Sequence, residues 1–106
     1  MSNVIDFQKA PSCLEAEEII RKLVAKGQLS LSRHCKDRMQ ERGITYQQII
    51  NCLSKGKVVD IPFLTNEKGG GYQTTVERAV AGDNLRVVVC MKFSQRVLVI
   101  TAIKYK

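Results

Sequence analysis

The sequence predicts an α+β domain in which two or three N-terminal helices pack on one face of a four-stranded antiparallel β-sheet. Apolar residues recur at helical spacing between residues 13 and 55, and helix-capping residues flank each of these segments. After Gly56 the apolar residues alternate with a period of two. Short turns divide this second half into strands, and strands joined by tight turns pair antiparallel.

The chain length and the N-terminus limit the domain organisation. A chain of 106 residues suits a single core. We expect a loose lead-in over residues 1–12, which show little pattern, and a single α+β domain over residues 13–106. The lead-in lacks the apolar stretch of a signal peptide, and no apolar run is long enough to cross a bilayer. The expected location is therefore the cytoplasm, with no membrane among the partners.

The first helix is predicted over residues 13–26. Ser12 and Glu15 have the spacing of a capping box, and Gly27 follows the last turn. Acidic residues lie near its start and basic residues near its end, as the helix dipole favours. Residues 29–31 are interpreted as a short link to the second helix.

Two further helices have clear boundaries. Ser32 is a suitable N-cap and Gly43 a suitable C-terminal residue, which together predict a helix of about ten residues. Thr45 then caps a third helix that closes at Gly56.

The second helix concentrates basic residues at its N-terminus. Arg33, Lys36 and His34, the chain's one histidine, fall in the first turn, where the dipole disfavours each cation by about 0.3–1 kcal/mol. This arrangement predicts an anion site. His34, Arg38 and Arg42 recur every four residues and line one side of the helix. Two plainer interpretations stay open: Arg42 suits the C-terminal end of the dipole, and a histidine beside an N-cap is often a structural hydrogen-bonding residue.

The positive charge is unevenly distributed. The net charge is +7, and residues 21–57 contain nine of the 17 Lys and Arg residues but two of the 10 acidic ones. A localised basic surface suits nucleic acid, an acidic protein or an anionic membrane, or it is simply a solvated face.

Four strands are predicted after Gly56. The first covers residues 57–64, where Pro62 restricts it to a sheet edge or to its own end. A glycine-rich loop at residues 65–71 follows. The closing meander has strands at residues 72–81, 85–93 and 97–105, with turns at residues 82–84 and 94–95. The last strand is apolar on both faces, as expected of a central strand.

The four cysteines, at positions 13, 35, 52 and 90, include no Cys-x-x-Cys pair. Their spacing is wrong for a zinc site, and a cytoplasmic protein needs no disulfide framework. We expect reduced, partly buried thiols, and neither a metal nor a cofactor.

The run from Ser32 to Thr45 reads Ser-x-His-x-x-x-Arg-Met-x-x-Arg-Gly-Ile-Thr. Together with the following helix, the early strand and the closing meander, it resembles a family of small bacterial domains of unknown function over residues 28–105. The signature positions of that family fall on Ser32, His34, Arg38, Arg42 and Gly43.

A second resemblance involves residues 18–31 and the terminal meander, which look like the motility quorum-sensing regulator toxins. These toxins are messenger-cleaving ribonucleases of type II toxin–antitoxin pairs, within the RelE, barnase and colicin superfamily. The resemblance implies a RelE-like α+β fold, metal-independent cleavage of RNA by 2′-hydroxyl attack, and an antitoxin partner. It places the chemistry on basic and polar side chains on or beside the sheet. Lys104 lies where these toxins have a terminal-strand lysine.

If the chain is a ribonuclease, the reaction requires a base, an acid and cations that offset charge on phosphorus. His34 suits the acid or base role, with Glu77 as an alternative base and Tyr72 or Tyr105 as an alternative acid or stacking platform. The expected catalytic residues are His34, Arg38, Glu77, Arg86 and Lys104. The expected nucleic-acid-binding residues are Arg33, Lys36, Arg42, Tyr72 and Arg78.

Two alternatives remain at this point. Helices usually cover one sheet face in this fold while the superfamily's site often uses the other, so His34 need not meet the strand residues. The histidine motif is then a structural link between helix and sheet, and the site consists of strand residues alone. The alternative function is a non-catalytic module that uses the basic face to bind RNA or an acidic protein partner.

Overall fold

The structure of the chain is a computed structural model, which describes residues 5–7, 9–66, 69–80 and 83–105. These residues form three helices and six strands. The helices are α1 (Cys13–Ala25), α2 (Arg33–Arg42) and α3 (Tyr46–Lys55). The strands are β1 (Leu29–Leu31), β2 (Lys57–Val58), β3 (Phe63–Thr65), β4 (Gly71–Val80), β5 (Asp83–Lys92) and β6 (Arg96–Tyr105).

The predicted helix caps are confirmed. The Ser12 and Thr45 side chains each cap a helix within a reciprocal capping box, and the Ser32 hydroxyl accepts the Cys35 amide at 3.0 Å. Gly43 ends α2 with a φ of 64°, in the left-handed region that glycine adopts without a steric penalty. No helix in the described part of the chain is long and apolar enough to span a membrane.

The α+β class and the β4–β5–β6 antiparallel meander are confirmed, but the strand number is corrected. The described sheet has six strands instead of four, in the order β1-β6-β5-β4-β2, with β3 also on β4. The predicted link at residues 29–31 is β1, which pairs parallel with β6 from Leu29 opposite Val97 to Leu31 opposite Val99. Three residues are too few for a period to show, and their hydrogen bonds come from a strand distant in the sequence.

The predicted strand at residues 57–64 is two short strands, β2 and β3, which both pair with β4. Pro62 lies between them and lacks the N–H needed to continue a ladder. The predicted turn at residues 82–84 also differs, because Asp83 and Asn84 belong to β5. Gly82 of that turn, and residues 67 and 68 of the predicted glycine-rich loop, lie outside the described residues.

The helices pack on one face of the sheet, which we call the covered face. Leu85, Val87, Val89 and Met91 of β5 point into this core and are buried. The pairing of β6 with β5 shifts by one residue: Val88 pairs with Thr101, whereas Val89 pairs with Val99. Ile100 is therefore a bulge residue. The covered face of β6 consequently continues through Ala102 and Lys104, and the opposite face, called the open face, continues through Ile103 and Tyr105.

Two residues of the described part of the lead-in, Ile5 and Phe7, contact the rest of the domain. Ile5 and Phe7 pack against the core, and the Ile5 amide donates to the Gln95 side chain at 2.6 Å. Phe7 also contacts Tyr72 and Phe93, with ring centroids 6.0 and 5.6 Å away. Residues 1–4 and 8 lie outside the described residues.

Candidate functional site

Three polar side chains from neighbouring strands meet on the open face at one end of the sheet. Glu77 of β4 lies directly opposite Arg86 of β5. The Arg86 Nε donates to the Glu77 carboxylate at 2.6 Å, and its Nη2 contacts the same oxygen. The Arg86 guanidinium carbon lies 4.6 Å from the centroid of the Tyr105 ring, a cation–π contact. We call Glu77, Arg86 and Tyr105 the open-face cluster.

The open-face cluster is accessible to a ligand. The Glu77 side chain is 23% exposed and the Arg86 side chain is 43% exposed. Among the described residues, the second oxygen of Glu77 has no hydrogen-bond partner. The Arg86 Nη1 likewise has none. The cluster thus combines a carboxylate that can accept a proton with a guanidinium that can contact an anion.

A groove of about 390 Å³ runs along this end of the sheet beside the cluster. Glu77 and Tyr105 line it together with Lys55, Lys57 and Arg78. Lys57 lies opposite Glu77 in the β2–β4 pairing. Sequence reasoning missed both lysines, although they belong to the basic segment, because their position depends on that pairing. Among the described residues that line the groove there are thus three cations and one carboxylate.

Gly56 connects α3 to β2 and so positions Lys57 next to Glu77. Its amide donates to the Cys52 carbonyl at 2.7 Å, and its own carbonyl accepts the Arg21 guanidinium at 3.0 Å. A Cβ at this position would lie 2.5 Å from the Cys52 oxygen and 2.6 Å from the Glu77 carbonyl oxygen. The close approach of α3 to β4 therefore requires glycine here.

The predicted motif on α2 links the helix to the edge of β6. The Ser32 hydroxyl donates to the Ile100 carbonyl at 3.0 Å, and the Arg42 guanidinium donates to the Ala102 carbonyl at 2.8 Å. β1 covers this edge of β6 only as far as Val99. The two side chains satisfy carbonyls beyond that point, where an unpaired sheet edge would otherwise be exposed.

This link predicts a measurable cost for Ser32→Ala. The substitution removes both the α2 cap and the bond to Ile100, so we expect a loss of about 2 kcal/mol in unfolding free energy, measured by urea denaturation. Ser12→Ala is the matched control, because its described bonds serve only the α1 cap; we expect about 1 kcal/mol there. Equal losses in the two variants would contradict the proposed link.

The structure does not bring His34 to the open-face cluster. His34, Arg33 and Lys36 are exposed in the first turn of α2. Arg38 forms a 2.6 Å ion pair with Glu41 on the same helix. The buried side of α2 contributes to the core on the covered face, whereas the open-face cluster lies on the other side of the sheet. The exposed residues predicted on α2 therefore do not share a surface with the open-face cluster.

Three other predicted site residues also lie on the covered face. Tyr72 is 9% exposed, and its ring contacts those of Phe7 and Phe93, so it is not available to stack on a nucleic-acid base. Arg78 and Lys104 lie in one row with Leu85, on the side opposite Arg86. Neither cation shares a sheet face with the open-face cluster, although Arg78 reaches the groove from the β4 edge.

The cysteines are free thiols, and three of them are buried. Burial raises the pKa of the Cys52 thiol to about 12 and also raises the pKa of Cys35. Both thiols are therefore neutral and behave as small apolar side chains. In the described parts of the chain, no three His, Cys, Asp or Glu side chains come together in a group that could hold a metal ion.

Comparison with known proteins gives one family. The family described as Domain of unknown function (DUF4258) matches residues 31–104, which include α2, α3 and nearly all of the sheet. No curated protein and no solved structure matches the chain. The match includes the Ser32 and Arg42 link as well as Glu77 and Arg86. The chain belongs to the DUF4258 family of domains of unknown function.

Proposed function

We propose that this chain is a metal-independent endoribonuclease, the toxin of a bacterial type II toxin–antitoxin pair, and that it cleaves RNA by attack of the 2′-hydroxyl. The observation that carries the proposal is the open-face cluster. It places an accessible carboxylate, a guanidinium and a phenol together beside a groove flanked by cations. One carboxylate bonded to arginine suits proton transfer better than metal binding, which takes several ligands.

Glu77 is the general base of the proposed reaction. Its free carboxylate oxygen accepts the proton of the ribose 2′-hydroxyl while the 2′-oxygen forms a bond to the adjacent phosphorus. The bond from phosphorus to the 5′-oxygen then breaks. The products are a 2′,3′-cyclic phosphate and a 5′-hydroxyl end.

Arg86 stabilises the charge that develops on the phosphate oxygens. Its bond to Glu77 and its position on the Tyr105 ring fix the guanidinium in place before substrate binds. Preorganised donors of this kind contribute strongly to transition states that gain negative charge. Tyr105 supplies the proton to the leaving 5′-oxygen or stacks on a base; it replaces Tyr72 in this role.

The cations along the groove give the RNA its path to the cluster. Lys55 and Lys57 are exposed and line the groove with Arg78. Lysine and arginine contacts to phosphates supply most of the affinity that does not depend on base sequence. An antitoxin would inhibit the enzyme by placing acidic groups on the same cations.

Cleavage of RNA by the wild-type protein tests the proposal. Purified protein incubated with a long, mixed-sequence RNA in excess EDTA is expected to release fragments with 2′,3′-cyclic phosphate ends, identified by mass spectrometry. The same sequences with 2′-deoxyribose are the matched control and should remain intact, because they lack the nucleophile. RNA that stays intact, or cleavage that requires added metal, would overturn the proposal.

A second candidate function is a non-catalytic module that binds RNA or an acidic protein. The observation that favours it is the exposed group Arg33, His34 and Lys36, which lies on α2 and away from the open-face cluster. In that case the protein binds RNA without cutting it, and Lys36→Ala weakens binding. The salt dependence of binding would fall with each phosphate contact removed.

A further inference from the structure

A second cavity, of about 190 Å³, lies between α3 and the same end of the sheet. We call it the α3 pocket. Residues of α3, β4, β5 and β6 line it, and Arg78 and Lys104 are its two cations. The pocket is smaller than the roughly 300 Å³ at which sites for drug-sized ligands begin. It therefore suits a small chemical group.

The two cations of the α3 pocket lie in a row across three strands. Arg78 pairs with Leu85, which pairs with Lys104, so all three side chains project from the sheet on its covered face. Strand spacing puts the Cα atoms of Arg78 and Lys104 about 10 Å apart, with Leu85 between them. Among the described residues, the Lys104 side chain makes no hydrogen bond or ion pair, and the Arg78 Nη1 donates to the Asn51 carbonyl at 3.4 Å. Two long cations can thus approach one anion from opposite sides.

Two carboxamides of α3 face the pocket with their donors unused. The Gln48 oxygen accepts the Thr45 amide at 2.8 Å, and the Asn51 oxygen accepts from Gln47 at 3.2 Å. Both oxygens are thereby occupied, and in the described part of the chain neither NH₂ group has an acceptor. The wall of the pocket therefore offers hydrogen-bond donors, which an oxyanion satisfies.

The floor of the pocket is neutral. Leu85 and Cys52 are buried there, and the Cys52 thiol donates to the Val76 and Leu85 carbonyls at 3.6 and 3.8 Å. Burial raises the pKa of Cys52 to about 12, which keeps a thiolate from repelling an anion. The described lining residues include no carboxylate.

We propose that the α3 pocket binds a phosphate group, either free or carried by a nucleotide. Its donors come from α3, β4 and β6, and so from several directions. A tetrahedral phosphate with several oxygens satisfies such a set better than a planar carboxylate. The site is distinct from the open-face cluster, and the inference does not depend on RNA cleavage.

Calorimetric titration of the full chain tests the site with three probes: inorganic phosphate, adenosine 5′-monophosphate and a short single-stranded DNA. DNA lacks the 2′-hydroxyl and so reports binding without cleavage. Lys104→Gln is expected to weaken binding about tenfold or more, because it removes a charged donor. Lys22→Gln on α1 is the matched control and should leave affinity within twofold. Both lysines are exposed, so neither variant should alter the thermal midpoint.

The three probes distinguish the possible sources of the phosphate group. A loss seen with inorganic phosphate or the monophosphate identifies a free phosphate group as the ligand, and a loss seen only with DNA identifies a nucleic-acid phosphate; both support the site. The absence of saturable binding with all three probes would overturn it. Equal weakening by Lys104→Gln and Lys22→Gln would also overturn it. Protein that binds phosphate but leaves RNA intact would refute the proposed ribonuclease and not the pocket.

Discussion

Glu77→Gln is expected to lower the rate of RNA cleavage at least about a hundredfold, the usual contribution of a general base. The amide keeps the shape of the side chain and still accepts the Arg86 Nε, but it cannot take a proton from the 2′-hydroxyl. Affinity for an uncleavable 2′-deoxy oligonucleotide should stay within about threefold. Expression of the wild-type chain should arrest growth of a bacterial host, and expression of Glu77→Gln should not.

Glu41→Gln is the matched control for this experiment. Glu41 also forms an ion pair with arginine, at 2.6 Å, but on the exposed surface of α2. Such surface pairs contribute little to stability, so the variant should fold and cleave RNA normally. Full activity in Glu77→Gln would refute the assignment of the base. Activity lost in His34→Ala but retained in Glu77→Gln would instead place the chemistry on α2.

Gly56→Ala is expected to destabilise the fold by about 3 kcal/mol, the upper range for overpacking a well-packed site. The added methyl group would lie 2.5 Å from one carbonyl oxygen and 2.6 Å from another, and both belong to the backbone. These steric clashes are relieved only if α3 and β4 move apart. Because Glu77 supplies one of these carbonyls, the same shift should also lower RNA cleavage. Urea denaturation measures the first effect, and the cleavage assay measures the second below the unfolding transition.

Gly27→Ala separates this steric effect from the general cost of replacing glycine. Gly27 has a φ of 74°, and no atom lies within 4 Å of a Cβ built there. Its substitution should lower the unfolding free energy by only about 1 kcal/mol, because alanine is strained in the left-handed conformation, and should leave RNA cleavage unchanged. If Gly27→Ala destabilised the protein as much as Gly56→Ala, the close approach of α3 to β4 would not be the cause.

The candidate site was only partly predictable from the sequence. Glu77 and Arg86 stand out as charged residues in predicted strands, and both belong to the open-face cluster. Their pairing, however, depends on the β4–β5 register, and the predicted turn at residues 82–84 gives a different register, because Asp83 and Asn84 belong to β5. Lys57 joins the site through its pairing with β4. Tyr72 is outside the site because it lies on the covered face opposite Met91, where Phe7, far away in the chain, contacts its ring.

The sequence by itself determined the helices, their caps and the closing meander. These features rest on contacts within a few residues, such as the Ser12–Glu15 box or the turn between Lys92 and Arg96, so the pattern of neighbours is enough to predict them.

Only the tertiary structure decided which side chains share a surface, and the bulge in β6 shows why. Strict alternation would put Tyr105 on the covered face with Val97 and Val99, and Lys104 on the open face beside Arg86. The unpaired Ile100 reverses this order, so that Tyr105 stacks on Arg86 and Lys104 enters the α3 pocket. The residues around Ile100 are apolar on both faces of β6, so the side-chain pattern does not mark the bulge, which is visible only in the pairing of β6 with β5.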